Sequence, residues 1–185
     1  MKKVLSLILA TLLVLTSIAA VAEEVLPSKT TSDLAEVTEV AAENGEVIIT
    51  VVEESDKYVE VLAATVEAVL NGTAPADLFT ADAKAAIVEK AGEAELELNE
   101  MIAIAAPDYT AENGAVTAKF TFETLYTAEQ TLVAVVSCYT GEAVEEIVLD
   151  AKADEAGAVV VSFTADAMAK IAAADSAILA ILNTK

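Results

Sequence analysis

Apolar side chains recur every three or four residues in the stretch that follows Ser55. This spacing lines them along one face of an α-helix. Ser55 suits the N-cap of that helix, and Asn71-Gly72 ends it because glycine tolerates a left-handed backbone. The apolar positions are Tyr58, Leu62, Val66, Val69 and Leu70.

A second helix is predicted after Pro75 restarts the chain. Thr80 suits its N-cap, and Asp82 complements the positive end of its dipole. Lys90 suits the last turn, and Gly92 closes the helix. The two helices therefore form a helical pair.

Beyond the second helix the apolar period changes to two, which is typical of β-strands. In the first of these strands, apolar residues alternate with polar or small ones at Leu96, Leu98, Ile102 and Ile104. We interpret Glu100, which interrupts this apolar face, as the mark of a β-bulge.

The next strand carries its apolar residues on one face, at Val116, Ala118, Phe120 and Phe122. Further strands are predicted at residues 132–138, 144–149, 159–163 and 177–182, with a short helix at 165–173. Short strands separated by turn signals indicate an antiparallel β-sandwich or a small barrel.

Two apolar-rich runs between residues 34 and 52 flank Glu43-Asn44-Gly45. Asn-Gly is the strongest short hairpin signal, because both residues tolerate positive φ. We therefore predict a β-hairpin here, although the first run also fits a short helix. The sequence of residues 42–45 recurs at residues 111–114, which we interpret as re-used turn chemistry.

Three segments in the second half of the chain carry a resemblance to a known class of domain. They are Leu98-Asn99-Glu100-Met101, Val116-Thr117-Ala118-Lys119-Phe120-Thr121-Phe122 and Ala158-Val159-Val160-Val161-Ser162-Phe163. On these segments, residues 95–185 resemble the immunoglobulin-like modules at the C-terminal end of secreted proteins from Gram-positive bacteria. The chain lacks the paired cysteines and the buried tryptophan of antibody-type domains. The resemblance covers about half of the chain and carries over no catalytic residues.

The patterns together predict an α+β protein. Residues 34–92 form an N-terminal β-hairpin and a helical pair. Residues 93–185 form a C-terminal antiparallel immunoglobulin-like β-sandwich.

The N-terminal residues follow the order of a bacterial-type secretory signal peptide. Two lysines, an apolar run over residues 4–20 and the motif Ala20-Val21-Ala22 follow one another. We predict cleavage between Ala22 and Glu23, which removes residues 1–22 and leaves residues 23–33 as a flexible leader. The alternative is an uncleaved membrane anchor, for which the apolar run is short.

Removal of the signal peptide leaves 163 residues, the size of about one domain. The mature chain carries eight lysines against 31 acidic residues, a formal charge of −23. Arginine, histidine and tryptophan are absent from the sequence. Nucleic acids and anionic membranes bind clustered basic side chains. The charge therefore disfavours both partner classes and favours a monomer.

The composition offers few groups for catalysis. Without histidine, the serine, threonine and cysteine side chains lack their commonest activating base. One cysteine and no histidine cannot build a zinc site, and neither glycine-rich phosphate-binding motif is present. Cys138 follows the phase of Ala134 and Val136 on a predicted strand, so we expect a buried, reduced thiol.

Tyrosines near strand ends are the remaining binding candidates. Phenylalanines in phase with the apolar strand faces, such as Phe120 and Phe163, belong to the core. Tyr109, Tyr126 and Tyr139 either line a binding rim or bury a satisfied hydroxyl at the edge of the core. We favour the second interpretation.

Calcium is the one metal whose oxygen ligands the chain offers. The candidate loops are residues 108–113, from Asp108 to Asn113, and residues 150–155, from Asp150 to Glu155. Thr110 and Lys152 stand where calcium-loop spacing requires acidic or amide side chains. We therefore interpret both loops as solvated charge runs and expect no cofactor.

The sequence favours an exported, non-catalytic interaction or structural module of the cell exterior, with an unknown protein or surface partner. We expect such a partner to bind neutral surface, such as an exposed sheet edge, rather than an acidic cluster. The second hypothesis is a carrier that holds a small apolar ligand between the helices and the sandwich, which a large enclosed apolar pocket would support. The third is a hydrolase, which two buried carboxylates in one cleft would support.

Overall fold

The computed structural model describes residues 35–52, 55–92 and 94–184, which contain eight strands and three α-helices. The strands are β1 (Glu36–Ala42), β2 (Thr50–Val51), β3 (Leu96–Ala105), β4 (Val116–Thr121), β5 (Leu132–Thr140), β6 (Ala143–Ala153), β7 (Val159–Phe163) and β8 (Ser176–Thr184). The helices are α1 (Asp56–Leu70), α2 (Ala81–Ala91) and α3 (Ala165–Ala173), and short 3₁₀ helices cover Pro75–Leu78 and Ala111–Asn113.

The helices begin where their caps predict. The Ser55 hydroxyl accepts a hydrogen bond from the Tyr58 amide at 3.2 Å, which fixes the first turn of α1. The Thr164 hydroxyl caps α3 in the same way by accepting from the Ala167 amide at 3.1 Å. Thr80 lies at the N-cap of α2, but its side chain makes no capping hydrogen bond.

All eight strands belong to one antiparallel sheet in the order β1-β4-β7-β6-β5-β8-β3-β2. The α+β class is therefore confirmed. The immunoglobulin-like sandwich, which needs two sheets packed face to face, is not confirmed. The single sheet is curled and barrel-like, and its two edge strands β1 and β2 approach one another. Strands from both sides of residue 92 complete this sheet.

The predicted N-terminal β-hairpin is wrong. β1 pairs with β4 and β2 pairs with β3, so the two strands lie at opposite ends of the sheet order. The chain does not fold back after β1, because the turn hydrogen bonds to a distant loop instead. The Glu43 amide donates to the Ala115 carbonyl at 2.9 Å, and the Asn44 amide donates to the Asn113 carbonyl at 3.0 Å.

The central strands of the sheet, among them β5 and β8, are buried on both faces. On β5, Ala134 and Val136 face the inner core, whereas Val133 and Val135 face a second apolar cluster beneath α1 and α2. All four residues have no exposed surface. Strands buried on both faces are apolar without interruption, which explains the continuous apolar run over most of β5.

The predicted bulge in β3 is confirmed at Leu98/Glu100. The extra residue changes the face to which the strand's apolar side chains point. Leu98 packs in the outer cluster under the helices, whereas Ile102 and Ile104 pack in the inner core. Glu100 itself is fully buried.

The helix α3 closes one side of the curled sheet. Its apolar residues Ala167, Met168 and Ile171 are buried and belong to the inner core. It connects the end of β7 to the start of β8. On the side of β6 opposite β5, no strand in the described part of the chain pairs with Ala143–Leu149.

Candidate interaction edge

The strand β6 extends beyond the strand β7 that pairs with it. β5 pairs with β6 over residues 143–151, whereas β7 pairs only with residues 150–153. Within the described part of the chain, the backbone of Ala143–Leu149 makes no hydrogen bond except to β5. We call the outward-facing backbone groups of Ala143–Leu149 the free side of β6.

The turn between β5 and β6 determines which amides lie on the free side of β6. Thr140 pairs with Ala143 across the two-residue turn Gly141-Glu142, in which Gly141 has a φ of 57°. The residues that flank such a turn form a hydrogen-bonded pair, and this pairing alternates along an antiparallel ladder.

The amides and carbonyls of Val144, Glu146 and Val148 therefore point away from β5. The same alternation assigns Asp150 and Lys152 to hydrogen bonds with β7, in agreement with the observed pairing. Among the described residues, no strand pairs with these three alternate peptide positions on the side away from β5.

The outer face of this stretch combines apolar and acidic side chains. Val144 is 40% exposed, and Val148 is half-buried against the cluster under the helices. Glu146 lies between them, and its Oε2 accepts hydrogen bonds from the Thr80 amide at 2.6 Å and the Thr80 hydroxyl at 2.8 Å. The Thr80 side chain is therefore anchored to β6, which explains why it does not cap α2.

The inner face of the same stretch is tied to α3. The Lys170 ammonium contacts Glu145 at 2.5 Å and Asp166 at 2.8 Å. Hydrogen bonds to Asp166 and then to Glu145 hold the pKa of Lys170 well above its usual range. The two acidic residues together neutralise this lysine and hold the end of α3 beside β6.

A cleft of about 410 Å³ opens near the same turn, between the starts of α1 and β8 and the ends of β3 and α3. Gly141 is part of its wall. The Ser55 and Ser176 hydroxyls meet at 3.3 Å inside it. The Lys57 ammonium lies 5.0 Å from the centre of the Tyr139 ring, in a cation–π arrangement.

The three candidate tyrosines lie in different environments. Tyr109 is buried, and its hydroxyl is 2.9 Å from the Gly114 carbonyl and 3.2 Å from the Ala165 carbonyl, as the satisfied-hydroxyl interpretation requires. Tyr126 is also buried, which raises its pKa, and its ring packs edge-on against Phe122. Of the three, Tyr139 alone lines the cleft, and burial followed by the charge of Glu146 raises its pKa.

The predicted burial of Cys138 is confirmed. Its side chain faces the inner core in phase with Ala134 and Val136 and is 5% exposed. Burial, with a smaller contribution from Glu145, raises the pKa of the thiol to about 11. Such a thiol is a poor nucleophile at neutral pH.

Sequence reasoning identified Glu100 as a bulge residue but not as a buried carboxylate. It is the one fully buried acidic residue in the described part of the chain, and it does not line the cleft. Its charge adds to the burial that raises the pKa of Tyr126. The bulge that turns Glu100 inward follows from the pairing of β3 with β8, which the local pattern alone does not report.

In both candidate calcium loops, side-chain oxygens accept hydrogen bonds or form ion pairs within the protein. Asp108 Oδ1 accepts from the Ile48 amide at 3.0 Å, and Asn113 Oδ1 accepts from the Thr110 amide at 2.8 Å. In the second loop Asp150 pairs with Lys90.

In that second loop, Asp154 makes two hydrogen bonds and one ion pair. Its Oδ1 accepts from the Ala156 and Ala158 amides, both at 2.9 Å, and its Oδ2 pairs with Lys119. Over the described ranges, no three acidic or cysteine side chains cluster as a metal site.

The predicted cleavage residues Ala22 and Glu23 lie outside the described residues. Among the helices that the structure describes, none has the length and apolar character to cross a membrane.

Comparison with known protein families, with curated proteins and with solved structures found no match. Any proposal for the function therefore depends on the sequence and the geometry of the chain itself.

Proposed function

We propose that this chain is an exported, non-catalytic interaction module of the cell exterior that binds an extended segment of a partner protein along the free side of β6. The observation that carries the proposal is the row of outward-facing backbone groups at Val144, Glu146 and Val148. An exposed strand edge is a template for strand addition, in which main-chain hydrogen bonds supply affinity.

Three features of this edge support binding rather than simple exposure. It is regular, because β6 and β5 pair without a bulge from Ala143 to Ala151. It is rigid, because β5 is buried on both faces. It is held on both sides, by Thr80 at Glu146 and by Lys170 at Glu145. A rigid edge loses little conformational entropy when a partner binds.

Export is the part of the proposal that depends on the N-terminal sequence. We expect the mature chain to begin at Glu23, because Ala20-Val21-Ala22 suits signal peptidase. Intact-mass measurement on exported protein tests this expectation. Recovery of the full-length chain from a membrane fraction would identify residues 1–22 as an anchor instead.

The proposal includes the resemblance of residues 95–185 to immunoglobulin-like modules of secreted bacterial proteins. The three segments that carry it lie in β3, around β4, and in and just before β7. The resemblance implies an exported domain without catalytic residues, in agreement with an interaction role.

A carrier of a small apolar ligand is the second hypothesis. The space between the helices and the sheet is occupied by packed side chains, among them the fully buried Ile87, Val133 and Val135. The cleft lies at the end of the sheet and combines apolar walls with serine, lysine and aspartate side chains. Both observations favour the interaction module. A carboxylate hydrolase is third, because Glu100 has no second buried carboxylate beside it among the described residues.

The proposal is tested by selecting short random peptides on the mature protein and measuring their affinity for two variants. Val144→Pro removes one outward-facing amide without breaking the ladder to β5, whereas Val144→Ala keeps that amide. Selected peptides should bind Val144→Pro at least about tenfold more weakly than Val144→Ala. Their binding should also persist at about 1 M salt.

Hydrogen exchange locates the contact. Bound peptide should slow amide exchange at Val144, Glu146 and Val148, because these amides become hydrogen-bonded donors. Failure to select any peptide, equal affinity for the two variants, or protection confined to another surface would each contradict the proposal.

A further inference from the structure

We infer that the free side of β6 selects an extended segment that carries a basic side chain between two apolar side chains at alternate positions. This inference rests on the proposed function and adds the chemistry of the partner. The features that carry it are the side chains beside the outward-facing backbone groups and the charge of the whole molecule.

An added strand places its side chains opposite those of β6 on each face. On the outer face, β6 presents Val144, Glu146 and Val148 in a row with the period of a strand. Cross-strand neighbours on one face interact directly, and apolar or oppositely charged pairs are favourable. The complementary row on the partner is therefore apolar, basic, apolar.

The Glu146 carboxylate is held in a fixed position beside the free side of β6. Its Oε2 is occupied by the amide and hydroxyl of Thr80, which fix the position of the carboxylate. Both of these donors are neutral, and no lysine pairs with Glu146 in the described part of the chain. The carboxylate therefore still offers a second oxygen, Oε1, to a cation from the partner.

The inner face does not oppose a basic partner. Lys170 lies there, but it is shared between Glu145 and Asp166. These three groups together carry a charge of about −1 at neutral pH. At Lys170, a basic side chain on the added strand therefore meets a charge that Glu145 and Asp166 already compensate.

A second copy of this chain does not fit the edge. Antiparallel self-pairing centred on Glu146 would place that residue directly opposite its own copy, and like charges directly opposite destabilise a strand pair. Each copy also carries a formal charge of −21 before processing, which repels the other. The free side of β6 is therefore suited to a different, cationic partner.

Two capped synthetic peptides test the inference. One has the central alternation Val-Thr-Lys-Thr-Val, and the other has glutamate in place of the lysine. At about 0.05 M salt the lysine peptide should bind about threefold to tenfold more tightly than the glutamate peptide. Its advantage should shrink at about 1 M salt, because screening weakens the charge contact and not the backbone hydrogen bonds.

The variant Glu146→Gln is the matched control, because it keeps an acceptor for Thr80 and removes the charge. The preference for lysine should disappear in Glu146→Gln, and Val144→Pro should weaken both peptides. If both peptides bind the unmodified protein equally and both weaken in Val144→Pro, the inference is overturned and the proposed function stands. A lysine preference that survives in Glu146→Gln, or no binding of either peptide, also overturns the inference. The proposed function itself is tested separately, by the peptide selection, the comparison of Val144→Pro with Val144→Ala, and hydrogen exchange.

Discussion

Asn44 and Asn113 bind each other's backbone. The backbone amide of Asn44 donates to the backbone carbonyl of Asn113 at 3.0 Å. The side-chain amide of Asn113 donates to the backbone carbonyl of Asn44 at 2.9 Å. The two residues hold the same place in the two copies of Ala-Glu-Asn-Gly, and each precedes a glycine with positive φ, Gly45 at 71° and Gly114 at 72°. The repeat is therefore a contact between two turns, and it secures β1 beside β4.

Removal of the Asn113 side chain should destabilise the fold. Asn113→Ala removes the bond to Asn44 and also the Oδ1 acceptor for the Thr110 amide. We expect the free energy of unfolding to fall by about 1–3 kcal/mol. Urea unfolding followed by circular dichroism measures this change.

Asn44→Ala is the matched control for that measurement. Its side chain makes one exposed hydrogen bond, to the Glu112 carbonyl at 3.2 Å, and the backbone bonds remain. We expect less than about half of the loss seen for Asn113→Ala. Equal losses would mean that the side-chain bond from Asn113 does not hold the turns together.

Local signals predicted the helices but not the strand partners. Ser55 and the spacing of Tyr58 and Val66 lie within a few residues of one another, so α1 and its start were predictable. The Asn44-Gly45 signal was equally local, but the turn binds a loop almost 70 positions away. Short-range turn chemistry carries no information about that competing partner, and the hairpin prediction failed for this reason.

The candidate site was predictable only in part. The burial of Cys138 followed from strand phase, because alternation reports the face of a residue directly. The free side of β6 depends on a difference in length between β6 and β7, and on the absence of another strand beside Val144 among the residues that the structure describes. Neither fact is present in the pattern of one strand. The same holds for the number of sheets, which depends on the continuous pairing of all eight strands.

The thiol of Cys138 should react slowly in the native protein. Burial holds it away from reagent and raises its pKa to about 11, so little thiolate is present at neutral pH. We expect a disulfide reagent to label the native protein at least about a hundredfold more slowly than the urea-unfolded protein. The chain has one cysteine, so the signal belongs to one site. Rapid native labelling, or a disulfide-linked dimer, would contradict the burial.

The hydroxyl of Tyr58 should contribute to stability in a pH-dependent way. It donates to the Met101 carbonyl at 2.7 Å, so Tyr58→Phe should lower the free energy of unfolding by about 1–2 kcal/mol near neutral pH. Burial, followed by the charge of Glu100, raises the pKa of Tyr58 from 10.0 to about 12.

A folded-state pKa above the unfolded value means that this contribution is complete below about pH 10 and is lost as the pH rises through about 12. The difference between the wild type and Tyr58→Phe should therefore shrink over this range. Unfolding measured at several alkaline pH values tests the prediction. A difference that stays constant up to pH 12 would show that the hydroxyl is not protected from ionisation.

The carboxylate of Asp154 should stabilise the loop between β6 and β7 only when it is ionised. The hydrogen bond from Lys119, followed by that from the Ala158 amide, holds its pKa below the ordinary value of 3.8. A depressed folded-state pKa contributes stability that is present above about pH 4 and is lost as the pH falls through the folded-state pKa.

Asp154→Asn should therefore lose stability at neutral pH and show a weaker fall in stability below about pH 4 than the wild type. Glu155→Gln is the control, because Glu155 is an exposed acid of the same loop that makes no ion pair within the described residues. Urea unfolding from neutral pH to about pH 2.5 compares the three proteins. If the free energy of unfolding of Asp154→Asn falls with pH as steeply as that of the wild type, this carboxylate does not have the role described.

The acidic residues around the free side of β6 should keep two copies of the protein apart. Glu142 and Glu146 flank Val144, and pairing two such edges would bring their charges together. We expect a monomer in low salt. The double variant Glu142→Gln with Glu146→Gln should dimerise in a concentration-dependent way, because the edge keeps its backbone donors and loses its charges. Salt near 1 M, where the Debye length is about 3 Å, should move the wild type in the same direction. Sedimentation velocity measures the fractions of monomer and dimer.

The double variant Glu67→Gln with Glu89→Gln is the control, because it removes the same charge from exposed helix positions, and it should stay monomeric. Adding Val144→Pro to the edge variant should restore the monomer, because it removes an outward-facing amide. Dimerisation of both double variants to the same extent would show that the total charge, and not the charge beside β6, keeps the protein monomeric.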